Sequence, residues 1–226
     1  MIVAIIPARG GSRTLLRKNL RRIGGRSLTA HAVDAARSAS TVDRVVVSTD
    51  DEAIAAEGRA AGADVPFLRP SELATDDAAT VDVLRHAVAQ LELEGATVDI
   101  VVTLQPTSPL RTAGEIDAVV ALVRDGGADS AVTVSSLGVP WSVVGYLADG
   151  RLVRPTQPTV DVRRQASPPA VRITGSVYAT RRALLDQGQV LGDRPAVLLT
   201  PEAAALDIDD ARDLARARRA LAGSRA

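Results

Sequence analysis

Short β-branched runs alternate with longer stretches of helical apolar spacing along most of this chain. Ile2 to Ile6 is an apolar run that stops at Pro7 and a Gly-containing loop, and the Ala-rich stretch Leu28 to Ser38 follows with helical spacing. Arg44 to Ser48 is the next run. Asp50-Asp51 then sets carboxylates where a helix N-terminus favours them, ahead of Ile54, Ala55 and Ala56. Asp64 to Leu68, Thr80 to Leu93, Val98 to Leu104, Glu115 to Arg124 and Ser130 to Ser135 continue as strand, helix, strand, helix, strand. This alternation predicts right-handed βαβ crossovers and a three-layer α/β fold around a mostly parallel sheet.

The rhythm breaks from Val139 to Pro169. Tyr146 to Val153 reads as a hairpin around Asp149-Gly150, and a Pro- and Arg-containing stretch follows, so the segment is predicted to leave the sheet. The sheet resumes with Val171 to Thr180 and Ala196 to Leu199, and a closing helix runs from about Asp209 to Leu221. The 226 residues contain no repeat, low-complexity tract or linker, so one domain over 1–226 is expected, with 139–169 as its excursion.

Composition sharpens this picture. Hydrophobic residues make up 46% of the chain but aromatics only 2%, so the core must be built from Ala, Val, Leu and Ile. The 27 basic and 27 acidic residues cancel, so no global field recruits nucleic acid or an anionic membrane, and any anion site must be local. The absence of cysteine excludes disulfides, thiolate nucleophiles and cysteine-ligated zinc. The apolar run Ile2 to Pro7 is too short for a signal peptide, and no stretch approaches the ~20 apolar residues of a membrane span. A cytoplasmic protein is expected.

Three polar segments carry candidate chemistry. Pro7 to Asn19 follows the first strand, where open α/β sheets bind ligands. Gly10 and Gly11 let backbone amides approach a phosphate, and Arg9, Arg13, Arg17 and Lys18 offer charge to neutralise one. The alternative is a basic surface loop whose glycines merely turn; it matches neither GxGxxG nor GxxxxGK[ST]. In Leu206-Asp-Ile-Asp209, Asp207 and Asp209 fall on one face of an extended segment and can share a metal, or else form an acidic helix cap continued by Asp210 and Asp213. Leu104 to Arg111 ends a strand with polar side chains confined between prolines. It serves either to orient an acceptor or as a turn with Arg111 in a structural ion pair.

Taken in order, IIPARGGS, RKN, VSTDD, LRPSELATD, LQPTSPLR, GSVY and LDIDD resemble the acylneuraminate cytidylyltransferase family, which includes CMP-sialic acid and CMP-Kdo synthetases. The resemblance spans nearly the whole chain, and LQPTSPLR with RPSELATD at this separation is its most specific part. It implies a Rossmann-like nucleotidyltransferase whose excursion, with Pro140-Trp141, makes a homodimer. It also implies an enzyme that transfers CMP from CTP to an acidic acceptor and releases pyrophosphate. Carried onto this sequence, it makes Arg9, Gly10, Gly11, Ser12, Arg13 and Lys18 the phosphate-binding set, and Asn19, Arg69 and Thr80 the residues that hold the cytidine. Asp207 and Asp209 carry Mg²⁺, and Gln105, Arg164, Arg172, Thr174 and Tyr178 bind the acceptor. Arg9, Lys18 and Asp209 stand nearest the chemistry. His31 and His86 fall in predicted helices and are expected to be structural.

The sequence departs from the family in two places. The family usually reads GSKGIPRKN, whereas Ser12 is followed here by Arg13, Thr14, Leu15 and Leu16, which keeps charge but removes a glycine and a proline. On the acceptor side, Thr174 stands where sialic acid enzymes tend to have asparagine, and Leu191-Gly192 where an aromatic pair packs. Losing rings favours a differently shaped acid. Two acceptors are therefore expected: a 2-keto sugar acid of the sialic acid kind, or a small phosphonate such as phosphonoformate. A catalytically silent nucleotide-binding paralogue is the alternative from another class.

Overall fold

The computed structural model describes residues 1–12, 14–154 and 168–223. In chain order the elements are β1 (Ile2–Pro7), β2 (Arg22–Ile23), β3 (Arg26–Ser27), α1 (Leu28–Ser38), β4 (Arg44–Ser48), α2 (Glu52–Ala61), α3 (Thr80–Leu93), β5 (Ile100–Thr103) and α4 (Ala113–Arg124). They continue with β6 (Ser130–Pro140), β7 (Tyr146–Ala148), β8 (Arg151–Val153), β9 (Pro169–Arg181), α5 (Arg182–Asp186), β10 (Ala196–Leu199) and α6 (Ala211–Gly223). One six-stranded sheet has the order β10-β6-β9-β5-β1-β4. Every pairing in it is parallel except those of β9, which runs antiparallel to both β5 and β6.

Alternation along β1 explains the layers. Ala4 and Ile6 face a cluster built with Ala32, Val33 and Ala36 of α1, Ile54 of α2, and Ile116, Val120 and Val123 of α4. Val3 and Ile5 face the opposite side, where Leu84, Val88 and Leu91 of α3 and Leu185 of α5 pack. Both clusters are almost wholly aliphatic, as the scarcity of rings requires. A third, separate cluster joins Leu214 and Ala217 of α6 to Leu15, Ile23, Leu28 and Ile208.

Local signals fix the helix starts. Ser27 caps α1, Asp51 caps α2 through two amides, and Thr112 and Glu115 form a capping box at α4. The hairpin turn falls at Asp149 (φ 49°) and Gly150 (φ 72°), joining β7 and β8 outside the main sheet.

Three expectations need correction. Residues 64–68 form no strand: only Asp64 bridges to Val46, and Pro66 has no amide to continue the ladder. β9 begins at Pro169 rather than Val171 and pairs with Pro140, so both long strands run into the predicted excursion. α5 was not expected, since five residues are too few to show a period. Among the described residues, no helix is long and apolar enough to cross a membrane.

Candidate active site

A cleft of about 470 Å³ opens beyond the carboxyl ends of β1 and β5, the position expected for an open α/β sheet. It gathers Arg9, Gly11, Ser12, Lys18, Asn19, Arg69, Thr80, Gln105 and Asp209 from the sequence-predicted set. Arg13 and Arg164 lie outside the described residues.

The loop after β1 is held by its neighbours rather than by itself. The Gly10 amide donates to Asp50 Oδ1 at 3.0 Å, and a Cβ there would fall 2.8 Å from Asp51 Oδ2. Gly10 therefore serves close approach to the α2 cap, and its amide is engaged by Asp50 in this structure. Gly11 faces open space. Ser12 Oγ donates to the Leu15 carbonyl at 2.7 Å. Asn19 is buried and its Nδ2 donates to the Arg9 carbonyl at 2.9 Å, so it shapes the loop that carries Arg9.

Two cations in the cleft already face carboxylates. Arg9 pairs with Asp76, from the loop before α3, and Lys18 Nζ sits 3.1 Å from Asp209 Oδ1. Arg69 is different. It is 6% exposed and donates to the Ser48 carbonyl at 3.0 Å and the Leu73 carbonyl at 3.2 Å, stapling the end of β4 to the following loop. Burial pulls its pKa below the ordinary guanidinium value, while the Asp50 charge opposes that. α3 starts at Thr80 with no side-chain cap on its amides, and Ala78, Thr80 and Val83 line the cleft.

The acidic pair is fixed by the third cluster. Ile208 is fully buried, its amide donates to the Thr107 carbonyl at 2.8 Å, and Thr14 Oγ1 donates to the Asp209 carbonyl at 2.6 Å. Asp210, not the pair itself, caps α6, accepting from the amides of Arg212 and Asp213 at 2.7 and 2.9 Å, while Asp213 reaches back to accept from the amides of Asp209 and Asp210 at 3.2 Å. Asp207 Oδ1 is buried with no hydrogen-bond partner. Burial pushes its carboxyl above the usual carboxylate range; a Thr107 hydrogen bond opposes this, the nearby Asp209 adds to it, and Lys18 opposes it. A buried carboxylate oxygen without a partner is costly, and a cation is one group that could satisfy it.

The acceptor-side residues are more dispersed. Gln105 reaches the cleft. Arg172 is exposed, with one N–H on the Ala205 carbonyl at 3.0 Å. Tyr178 is half-buried in β9 opposite Thr103, and burial together with the Asp207 charge raises its phenol pKa. Thr174 is 3% exposed, and its hydroxyl lies 2.7 Å from Thr133 Oγ1. Its hydroxyl is thus engaged inside the sheet.

Sequence reading missed Asp76, Thr107 and the use made of Arg111. Asp76 stands inside RPSELATD, and a carboxylate in that polar loop was the available signal. Arg111 makes no ion pair with a carboxylate within 4.0 Å among the described residues; it donates to backbone carbonyls instead. His31 bonds the Ile23 carbonyl and His86 stacks edge-on against Phe67, so neither faces the cleft.

A family model described as cytidylyltransferase matches residues 3–172. The chain is 35% identical to the CMP-N,N'-diacetyllegionaminic acid synthase of Legionella pneumophila, over 95% of this chain and 93% of that protein. It is 27% identical to a pseudaminic acid cytidylyltransferase of Campylobacter jejuni, over 94% of this chain and 92% of that one. Among solved structures, a CMP:2-keto-3-deoxy-manno-octonic acid synthetase complexed with CTP shares the fold with a TM-score of 0.73 at 19% identity, covering 99% of both chains. The chain therefore belongs to the cytidylyltransferase family, and its enzymatic class is nucleotidyl transfer.

Proposed function

We propose that this enzyme transfers CMP from CTP to a sialic-acid-like nonulosonic acid, releasing pyrophosphate. The observation that carries the reading is the convergence of Arg9, Lys18 and Asp209 on one cleft. The relatives that match over most of their length, named for legionaminic and pseudaminic acids, support the acceptor class.

In this reading Arg9 and Lys18 exchange their present carboxylate partners for phosphate oxygens, and the nucleotide lies along Gly11, whose missing side chain leaves open space, and the uncapped start of α3. Asp207 and Asp209 would hold Mg²⁺; when bound, it supplies charge neutralisation at the phosphates. No group of three or more acidic, His or Cys ligands stands together among the described residues. The acceptor hydroxyl attacks the α-phosphorus in line with the departing pyrophosphate, so the protein contributes positioning and charge, with no nucleophile of its own. Gln105, Arg172 and Tyr178 lie toward the acceptor, and an arginine suits its carboxylate.

We also propose that 1–226 is a single domain whose hairpin excursion is the dimerisation element. Val143, Tyr146, Leu147 and Leu152 are exposed there, an apolar surface suited to a second copy of the chain.

The test is pyrophosphate release with CTP and Mg²⁺ against legionaminic, pseudaminic and N-acetylneuraminic acids, Kdo and phosphonoformate, with ATP, GTP and UTP as controls. Turnover with a nonulosonic acid is expected. Turnover with phosphonoformate alone would replace the acceptor, and none at all would favour the silent paralogue.

A further inference from the structure

β9 and β6 do not run in simple register. Val132 pairs with Tyr178 and Val134 with Ile173, so the single residue Thr133 faces the four residues 174–177. This wide bulge contains Gly175, at φ +74°, and projects at the level where the β5–β9 ladder has already ended, at Thr103 opposite Tyr178. On the β6 side Thr133 secures it: the Val177 amide donates to Thr133 Oγ1 at 3.1 Å, and the Thr174 hydroxyl meets the same atom. On the β5 side no ladder remains.

Arg111 fills that gap. Its Nε donates to the Ser176 carbonyl at 2.9 Å and its Nη2 to the Gln105 carbonyl at 2.5 Å, so one planar guanidinium bridges the bulge to the loop that follows β5. The Ser108 amide converges on the same Gln105 carbonyl at 3.3 Å. The two bridged segments also touch: a Cβ on Gly175 would lie 3.4 Å from Gln105 Oε1. The side chain that reaches the cleft therefore rests on the bulge that Arg111 holds.

We propose that Arg111 is a positioning residue for the acceptor, setting Gln105 against the Gly175–Ser176 bulge. An arginine 6% exposed, with Nη1 lacking any partner, is an expensive way to fill space. Burial pulls its pKa down to about 9, partly offset by Glu115 and Asp207, and leaves it cationic at neutral pH. A cation retained at that cost is explained by the fork geometry, which lysine, a point donor, cannot reproduce across two carbonyls.

The inference rests on Gln105 facing the acceptor, and its test separates the two. Arg111→Lys, Arg111→Met, Gln105→Ala and the double variant Gln105→Ala/Arg111→Lys are compared by steady-state kinetics, varying each substrate in turn, with CTP binding followed by calorimetry as a check on folding. Arg111→Lys should lower kcat/KM for the acceptor by roughly 10- to 100-fold, as a misplacement of about an ångström does, and leave the CTP constants within about twofold. In the Gln105→Ala background the same substitution should add little. Parallel losses for both substrates, or full additivity with Gln105→Ala, would overturn the proposal. The readout is a ratio with whichever acid the wild type turns over, so a wrong acceptor choice changes the acid and not the ratio. A wild type that turns over none overturns both readings.

Discussion

Gly10→Ala should destabilise the protein, whereas the same change at Gly11 should leave stability intact and weaken CTP use instead. A Cβ on Gly10 falls 2.8 Å from Asp51 Oδ2, 2.9 Å from its Cβ and 3.2 Å from its Cγ, against roughly 3.5–4.0 Å for comfortable carbon contact. Rotating the carboxylate relieves only the first contact, because the backbone fixes the Asp51 Cβ. The loop must shift, or Asp51 must release α2, whose Ala53 and Ile54 amides it accepts at 2.7 and 3.1 Å. Losing a cap costs about 1 kcal/mol and overpacking about 1–3 kcal/mol, so the easier route sets a loss of about 1–2 kcal/mol. For a chain of this length that lowers Tm by roughly 2–8 °C. The assay is thermal and urea unfolding of a double-mutant cycle with Asp51→Gly, which removes all three contacting atoms and itself costs only a few tenths of a kcal/mol. In that background Gly10→Ala should cost almost nothing, a coupling of about 1–2 kcal/mol. Additive losses, or a Gly11→Ala variant as unstable as Gly10→Ala, would refute the reasoning.

Asp207→Asn should raise Tm by roughly 1–4 °C, because it removes the charge from a buried carboxylate whose Oδ1 has no partner. It should also cut turnover by orders of magnitude and abolish any Mg²⁺-dependent rise in Tm; a variant that Mg²⁺ still stabilises would exclude this aspartate as a ligand. Ala79→Ser supplies the side-chain cap that α3 lacks, so it should add about 1 kcal/mol while raising the KM for CTP, since the new hydroxyl competes for amides facing the cleft. An unchanged KM would mean those amides are not used. Leu147 is 78% exposed on the hairpin, and if the hairpin is the proposed dimerisation element, the wild type should scatter light as a dimer and Leu147→Asp as a monomer; a monomeric wild type or an unaltered mass would refute that proposal. Leu214→Ala should weaken the α6 cluster by about 2–3 kcal/mol, so that activity disappears at lower urea than the sheet's circular dichroism. Coincident transitions would show α6 and the sheet unfolding together.

Much of the scaffold was legible because its signals are local. The boundaries of α1, β4, α3 and β10 coincide with those read from periodicity, where apolar rhythm agrees with the flanking polar residues. What failed depends on partners distant in sequence. Nothing near Val171–Thr180 announces that β9 runs against its neighbours, or that four of its residues face one threonine of β6. In the cleft, the basic loop and the acidic pair were visible as charges at loop positions. Their pairing was not: Arg9 meets Asp76, Gly10 meets Asp50, and Lys18 meets Asp209 across 191 residues. Arg111 was legible as a polar residue in a stiff loop, but its carbonyl partner at Ser176 lies 65 residues away.

The two ends of the chain meet at the cleft, and the small α6 cluster is what brings them together. Leu15, Ile23 and Leu28 come from the basic-loop end, and Ile208, Leu214 and Ala217 from the acidic end. Ile208 is the hinge of this arrangement: its side chain is fully buried in the cluster and its amide is tied to Thr107, so the flanking Asp207 and Asp209 have little freedom of placement. The cluster is separate from both sheet clusters, and a unit with few buried apolar side chains opens more readily than a large core. Lys18 and Asp209 thus keep their geometry only while α6 is docked. The acidic pair, though only two residues apart in sequence, is a tertiary construction that stands or falls with the docking of α6.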